Sequence, residues 1–309
     1  MAMAKQFAPN IRSDFARRDV TTAVIAILGW LCYVLAAVLM SCAIGLLIHN
    51  DLLARSHANS VSAAAQAWPP ADKRKAWNLA QQYNEQISAR LGGSIPGDIS
   101  YDDGESLENK DFQYMQALNV DGSGAMASLR IPKISVNIPI YHTTLSHVLD
   151  EGAGHVYGSA LPIGENGTSS AIAAHSGGVQ GMLFTRLHEL KPGDTFSINV
   201  LTDEQTYRVV SREVVNPKHL ESALQRIRDG NTKHHALVTL ITCTPIGINS
   251  DRLLVTAERV PDAPPDFASQ HDVLLLSIVA AVLLFAVLMA IAVIAKRRKG
   301  AYAPHHRAA

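Results

Sequence analysis

Cys243 is the residue of this sequence whose surroundings best fit covalent chemistry. It ends the apolar run 236–243, which has the composition of a β-strand, and residues 244–251 then supply the Pro, Gly, Asn, Ser and Asp that form turns. Arg252 begins the next strand-like run. If the two runs form a hairpin, Cys243 and Arg252 lie side by side at the end of a sheet. A guanidinium there favours the thiolate and donates hydrogen bonds to an oxyanion on a substrate carbonyl.

A cysteine nucleophile also needs a proton donor or acceptor, and His175 has the best context for that role. It ends the apolar run 169–175 and precedes Ser-Gly-Gly, so we expect it at a strand tip beside a flexible loop. A Cys/His pair can form a thioester while the histidine protonates the leaving amine. The sequence has 13 histidines, and the adjacent pair 234–235 lacks metal-ligand spacing, so no metal site is predicted.

Two long apolar blocks determine the predicted topology. Residues 20–48 and 273–295 contain no charged side chain, and each exceeds the roughly 20 residues that cross a bilayer as a helix. The alternatives are a buried core helix or, for the first block, a cleaved signal peptide. The lack of charge over such lengths favours membrane helices. Basic residues precede the first block and form the run 296–299 after the second, which places both termini in the cytoplasm.

The segment between the blocks is predicted to be one extracellular module. Cys243 is its only cysteine, whereas Cys32 and Cys42 lie in the first apolar block as small apolar side chains. An unpaired extracellular cysteine indicates a reactive thiol. The chain has 27 basic and 27 acidic residues, so no basic excess favours a nucleic-acid partner.

The module divides into a helical half and a β half. Apolar runs that alternate with polar residues follow one another from about residue 127 to 260, which indicates an all-β barrel or sandwich. Short helices are predicted within it near 181–190 and 220–228. Before it we predict a surface helix over 71–90, with its apolar spacing at Ala76, Leu79, Tyr83 and Ile87, and a loop with a short helix near 112–118.

The segment around Cys243 resembles the signature of the sortases. That signature is Thr-Leu-x-Thr-Cys followed by an arginine at the start of the next strand, here residues 239–243 and Arg252. The continuation 244–249, Thr-Pro-x-Gly-x-Asn, resembles the class C, pilus-assembling branch. The segment 171–177, AIAAHSG, resembles the family's histidine motif. With further matching segments upstream, the resemblance covers about residues 120–260.

The resemblance implies a fold and a reaction. The fold is an all-β core, an eight-stranded sortase-type β-barrel with short helices, an N-terminal helical and lid extension and two transmembrane helices. The implied catalytic residues are Cys243, His175 and Arg252, and Thr242 and Thr244 are candidate substrate contacts. Cys243 would attack the Thr–Gly bond of an LPxTG-like sorting signal on a pilin or surface protein, and an amine would resolve the thioester. No cofactor is implied, because an amide is exchanged for a thioester and back.

Three alternatives concern the acceptor, the lid and the class of protein. In class C enzymes the amine is usually a pilin lysine, but the same three residues serve sortases that use a cell-wall precursor. The class C lid motif, Asp-Pro-aromatic, does not occur in this sequence. A lid formed by residues 94–101 would place Asp98 towards Arg252 and Ile99 or Tyr101 over Cys243. An ordinary linker loop is the alternative. A non-enzymatic two-span binding module is the alternative from another class, and the Cys/Arg spacing with the His-Ser-Gly motif argues against it.

The predicted segments follow directly from these interpretations. They are a cytoplasmic tail (1–19), a transmembrane helix (20–48), an extracellular helical and lid region (49–125), the catalytic β-barrel (126–261), a tether (262–272), a second transmembrane helix (273–295) and a basic cytoplasmic tail (296–309).

Overall fold

The computed structural model describes most of the barrel and of the helices that precede it. It covers residues 11–90, 111–119, 122–178, 181–231 and 235–261, and the helical positions 279, 282, 283, 285, 286 and 289. The predicted lid residues Asp98, Ile99 and Tyr101 and the tether 262–272 lie outside the described residues.

Strands of the described residues close into an eight-stranded barrel in the order β1-β2-β3-β4-β7-β8-β6-β5, which confirms the predicted all-β core. The strands are β1 (Ala125–Ile131), β2 (Val136–His142), β3 (Ala153–His155), β4 (Ser169–Ala173), β5 (Thr195–Val200), β6 (Asp203–Val215), β7 (Leu237–Thr244) and β8 (Asp251–Arg259). Every run that alternated in the sequence forms a strand. The three-residue β3 was not predicted, because Ala-Gly-His is too short to show a period of two.

Successive side chains of β7 and β8 point alternately into the barrel and out of it. Val238 and Leu240 of β7 and Val255 of β8 are buried in the main core with the inward residues of the other strands. Their neighbours in sequence point to the opposite face of the sheet. Ile241 and Leu254 therefore pack outside the barrel, in a second apolar cluster.

Helices cover the barrel or extend from it. They are α1 (Ile11–Ala67), α2 (Pro70–Arg90), α3 (Phe112–Gln116), α4 (Ser146–Glu151) and α5 (Leu220–Asp229), with 3-10 turns at Pro132–Ile134, Leu187–Glu189 and Pro217–His219. The helix predicted near 181–190 is wrong apart from that 3-10 turn. Gly181 and Leu183 have positive φ angles of 125° and 32°, which a right-handed helix does not contain.

α1 is far longer than the predicted membrane helix. Its apolar stretch makes it, among the described residues, the one helix long and apolar enough to cross a membrane. The helix then continues without a break to Ala67, just before Pro69 and Pro70. Its second half packs on β1 and β2 through Ala54, Ala58, Val61 and Ala65, which recur at helical spacing and are buried.

Polar contacts fix the docked half of α1. Arg55 Nη2 donates to the carbonyl oxygen of Ser135 at 3.1 Å and pairs with Asp51 at 2.9 Å. The hydroxyls of Ser62 and Ser128 lie 3.1 Å apart. The barrel is therefore joined to the apolar stretch by continuous helix rather than by a flexible linker.

α2 docks through a face that the sequence predicted only in part. Ala80, Tyr83 and Ile87 are buried, but Leu79 is exposed, so its place in the predicted apolar spacing is wrong. The hydroxyls of Tyr83 and Tyr157 both donate to Asp111 Oδ2 at 3.0 Å. Burial and the Asp111 carboxylate raise the pKa of Tyr83, which keeps this hydroxyl protonated as a donor.

Gly154 in β3 sets the distance between the barrel and α4. A Cβ at this position would overlap the carbonyl oxygen of Thr143 and lie 3.0 Å from Leu149 Cδ2. We predict that Gly154→Ala lowers the free energy of unfolding by about 1–3 kcal/mol, because the overlap forces α4 away from β3. Urea unfolding of the full chain in detergent measures this. Gly45→Ala, which meets no atom within 4 Å, is the control, and equal midpoints for the two variants would contradict the prediction.

Candidate active site

Three of the predicted residues form one row across neighbouring strands. Cys243 of β7 and Arg252 of β8 are directly opposed in the antiparallel register, as the hairpin prediction requires. β4 runs parallel to β7 with Ala173 beside Ile241, so two residues further along His175 comes level with Cys243. The amide of Ala174 donates to the carbonyl of Ile241 at 3.1 Å, which continues the ladder to the residue before His175.

The row lies on the outside of the barrel, next to the second apolar cluster. Cys243 shares its face of β7 with Ile241, because the two residues are separated by one position. The three residues line one cleft of about 60 Å³. Apart from Thr144 and Thr242, its other walls are apolar and come from four elements and the loops beside them, through Leu149, Val156, Ala173, Leu220, Leu224 and Ile241. An apolar floor with three polar groups at one edge is the usual composition of a ligand site.

A second cleft meets the first at Cys243. It has a volume of about 310 Å³ and lies between the β7–β8 turn and the segment after His175. Its lining includes Ser176, Phe184, Thr185, His188, Thr244, Pro245 and Ile246. The half-buried thiol is therefore accessible from two directions.

The β7–β8 turn holds the guanidinium of Arg252. Its Nη1 donates to the carbonyl oxygens of Asn249 and Asp251, each at 3.3 Å. Asn249 has a φ of 60°, the left-handed conformation that Asn tolerates better than most residues. Since a guanidinium carries five N–H donors, donors remain for a substrate oxygen.

His175 has a carboxylate partner that the sequence analysis did not identify. Its Nε2 lies 3.6 Å from Asp150 Oδ1 on α4. The imidazole is partly buried, and the backbone carbonyl of His175 accepts a hydrogen bond from Phe184 at 3.0 Å. Asp150 is 25 residues away in sequence and carries no motif of its own, so no local signal links the two residues.

Comparison with known proteins agrees with this geometry. Residues 129–260 match the sortase domain family. The chain is 25% identical over 158 residues to sortase A of Bacillus anthracis, which covers 51% of this chain and 70% of that protein. It also superposes on the crystal structure of sortase C1 from Streptococcus agalactiae with a TM-score of 0.57 and 30% identity, covering 67% of this chain and 100% of that one. This chain belongs to the sortase family.

A second sortase structure supports the class C resemblance. The Pilus Island 1 sortase C2 of group B Streptococcus gives a TM-score of 0.52 at 32% identity, covering 63% of this chain and 100% of that one. The predicted sortase-type barrel is therefore confirmed, and this sortase, like its relatives, is a cysteine transpeptidase.

The two threonines that flank the sortase cysteine have different surroundings. Thr242 is buried, and its hydroxyl donates to the carbonyl of Ala174 at 2.8 Å, which ties β7 to the residue before His175. Thr244 is half-buried and lines the second cleft. Substrate contact by either residue stays a prediction, although Thr244 is the more accessible of the two.

Proposed function

We propose that this sortase cleaves an LPxTG-like sorting signal through a thioester on Cys243 and transfers the acyl group to a lysine amine of a pilin subunit. The row of His175, Cys243 and Arg252 across β4, β7 and β8 is the observation that carries this proposal. It brings a nucleophile, a proton donor and a fixed cation to one edge of a cleft.

The first half-reaction uses all three groups. The Cys243 thiolate attacks the threonine carbonyl carbon of the Thr–Gly bond, and Arg252 donates hydrogen bonds to the oxyanion that develops there. The C–N bond then breaks. His175 gives its proton to the leaving glycine amine, so the products are a thioester and a free amine.

The second half-reaction reverses the roles. An acceptor amine attacks the thioester carbonyl, its proton passes to His175, and the Cys243 thiolate leaves. One amide has been exchanged for another, so the residues of this chain supply all the chemistry. The two clefts that meet at Cys243 support this sequence, since donor and acceptor can approach from different sides.

Likeness to class C sortases supports a pilin lysine as the acceptor. One of the similar structures is a sortase C2 of a pilus island. A cell-wall precursor amine is the alternative acceptor. The lysine assignment fails if the isolated acyl-enzyme forms product with a wall-precursor peptide but with none of the lysine-bearing pilin peptides.

We also propose that the sortase is a two-span plasma-membrane protein with both termini in the cytoplasm and its barrel outside. The apolar side chains of α1, such as Leu28, Leu31 and Leu35, are exposed, as in a helix that faces lipid. The ring of Tyr33 stacks on that of Phe285 with centroids 5.2 Å apart, which supports a second span beside the first. Basic residues outside both apolar blocks support the orientation.

Trapping the intermediate tests the reaction. Full-length protein in detergent is incubated with a peptide that contains a sorting motif, and its proteolytic fragments are weighed. We expect the acyl part of the peptide on the fragment with Cys243, and its release by hydroxylamine. A Cys32→Ala/Cys42→Ala double variant should retain the adduct and Cys243→Ala should lose it. An adduct on the Cys243→Ala protein, or none on the wild type, would overturn the proposal.

A further inference from the structure

Asp150 is the one acidic side chain, among the described residues, recorded within ion-pair distance of His175. The separation of Asp150 Oδ1 from His175 Nε2 is 3.6 Å, and the two side chains are 45% and 27% exposed. A charged contact of this length is longer than a direct hydrogen bond. Catalytic contacts of free enzymes are often long and shorten when substrate binds.

The backbone around Asp150 is packed on the barrel. Leu149, its neighbour on α4, is buried and lines the cleft of the catalytic row. α4 ends at Glu151 and is followed by Gly152, where a Cβ would come within 2.8 Å of the Pro139 carbonyl oxygen, so the chain lies directly on β2. Asp150 thus belongs to a helix that is packed on the barrel.

The pairing decides which ring nitrogen of His175 serves the reaction. Because Nε2 faces Asp150, Nδ1 is the nitrogen left for the thiol and the leaving amine. We propose, on the basis of the function proposed above, that Asp150 is a positioning residue that orients His175 for proton transfer.

Few other charged groups face His175. Among the described residues, the remaining titratable side chains that line its cleft are Cys243 on β7 and Arg252 on β8. On α4 itself, His147 and Glu151 are exposed, and neither is recorded in contact with His175. Glu151 therefore offers a control with the same change of charge on the same helix.

Kinetics of three full-length variants in detergent test this role. With a sorting-motif peptide, we expect Asp150→Asn to lower kcat about tenfold with KM within about twofold. Asp150→Glu, which keeps the carboxylate, should restore most of kcat, and Glu151→Gln should match the wild type in kcat and KM.

The outcomes separate this proposal from the proposed function. If the wild type forms the Cys243 acyl-enzyme but Asp150→Asn has the kcat of Glu151→Gln, Asp150 has no positioning role. An equal loss of kcat in Asp150→Asn and Asp150→Glu would also overturn it, as a structural effect. Wild-type protein that forms no acyl-enzyme would instead refute the proposed function. Circular dichroism of each variant checks that the fold is intact.

Discussion

Arg252→Lys should lower kcat/KM for a sorting-motif peptide by about a hundredfold or more, with most of the loss in kcat. The wild-type guanidinium is opposite Cys243 and is held by the carbonyls of Asn249 and Asp251. A lysine ammonium keeps the charge but is a point donor on a flexible chain, so it loses the planar donor geometry. Because the oxyanion exists only near the transition state, the loss should appear in turnover rather than in binding.

The matched control for this prediction is Arg226→Lys on α5. Arg226 is exposed and pairs with Glu213 at 3.5 Å, on the helix whose Leu220 and Leu224 line the cleft. It should retain wild-type kcat/KM. If Arg252→Lys raised KM but left kcat unchanged, the guanidinium would bind the substrate rather than stabilise the transition state, and the oxyanion role would be wrong.

Local pattern was sufficient to predict one side of the row formed by His175, Cys243 and Arg252. The strand-like runs that end at Cys243 and begin at Arg252 are joined by eight residues that include Pro, Gly, Asn, Ser and Asp, so a hairpin follows from neighbouring sequence alone. The register that opposes the two residues confirms it. The place of His175 in the row depends instead on the parallel pairing of β4 with β7, which are 68 residues apart. Nothing in either strand specifies that pairing, and the family resemblance supplied it.

Contacts between separate elements were the part that sequence could not predict. The Asp150–His175 contact needs α4 to lie against β2 and β3, and close approaches at Gly152 and Gly154 bring it there. The docked half of α1 was missed for another reason. Its buried positions are mostly alanine, which resembles the composition of an exposed linker when hydropathy alone is considered.

The buried His155, at the end of the barrel near α3, should make the stability of the protein depend on pH. His155 is fully buried. Its Nε2 lies 2.9 Å from the carbonyl oxygen of Ala160 as donor, and its Nδ1 lies 3.0 Å from the hydroxyl of Tyr114. One donor and one acceptor suit a neutral imidazole. Burial, opposed in part by the bond to Ala160, lowers the pKa of His155 from 6.5 to about 4.

We therefore expect the protein to lose about 3 kcal/mol of unfolding free energy between pH 7 and pH 4 through His155. The unfolded chain takes up the proton near pH 6.5 and the folded chain only near pH 4. The contribution is therefore fully present above pH 6.5 and is lost as pH falls towards 4. His142, whose pKa burial also lowers, acts in the same direction.

Urea unfolding of the full chain in detergent at pH 7 and pH 4 measures this, with Trp68 and Trp77 as fluorescent probes packed against the core. His155→Gln keeps a donor but cannot be protonated. It should be less stable than the wild type at pH 7 and should lose less stability on acidification. Equal losses in wild type and variant would mean that the folded protein accepts a proton at His155 as readily as the unfolded chain. The Tyr114 hydroxyl would then have to accept a hydrogen bond from Nδ1, which would leave its own proton for the carbonyl oxygen of His155, 3.3 Å away.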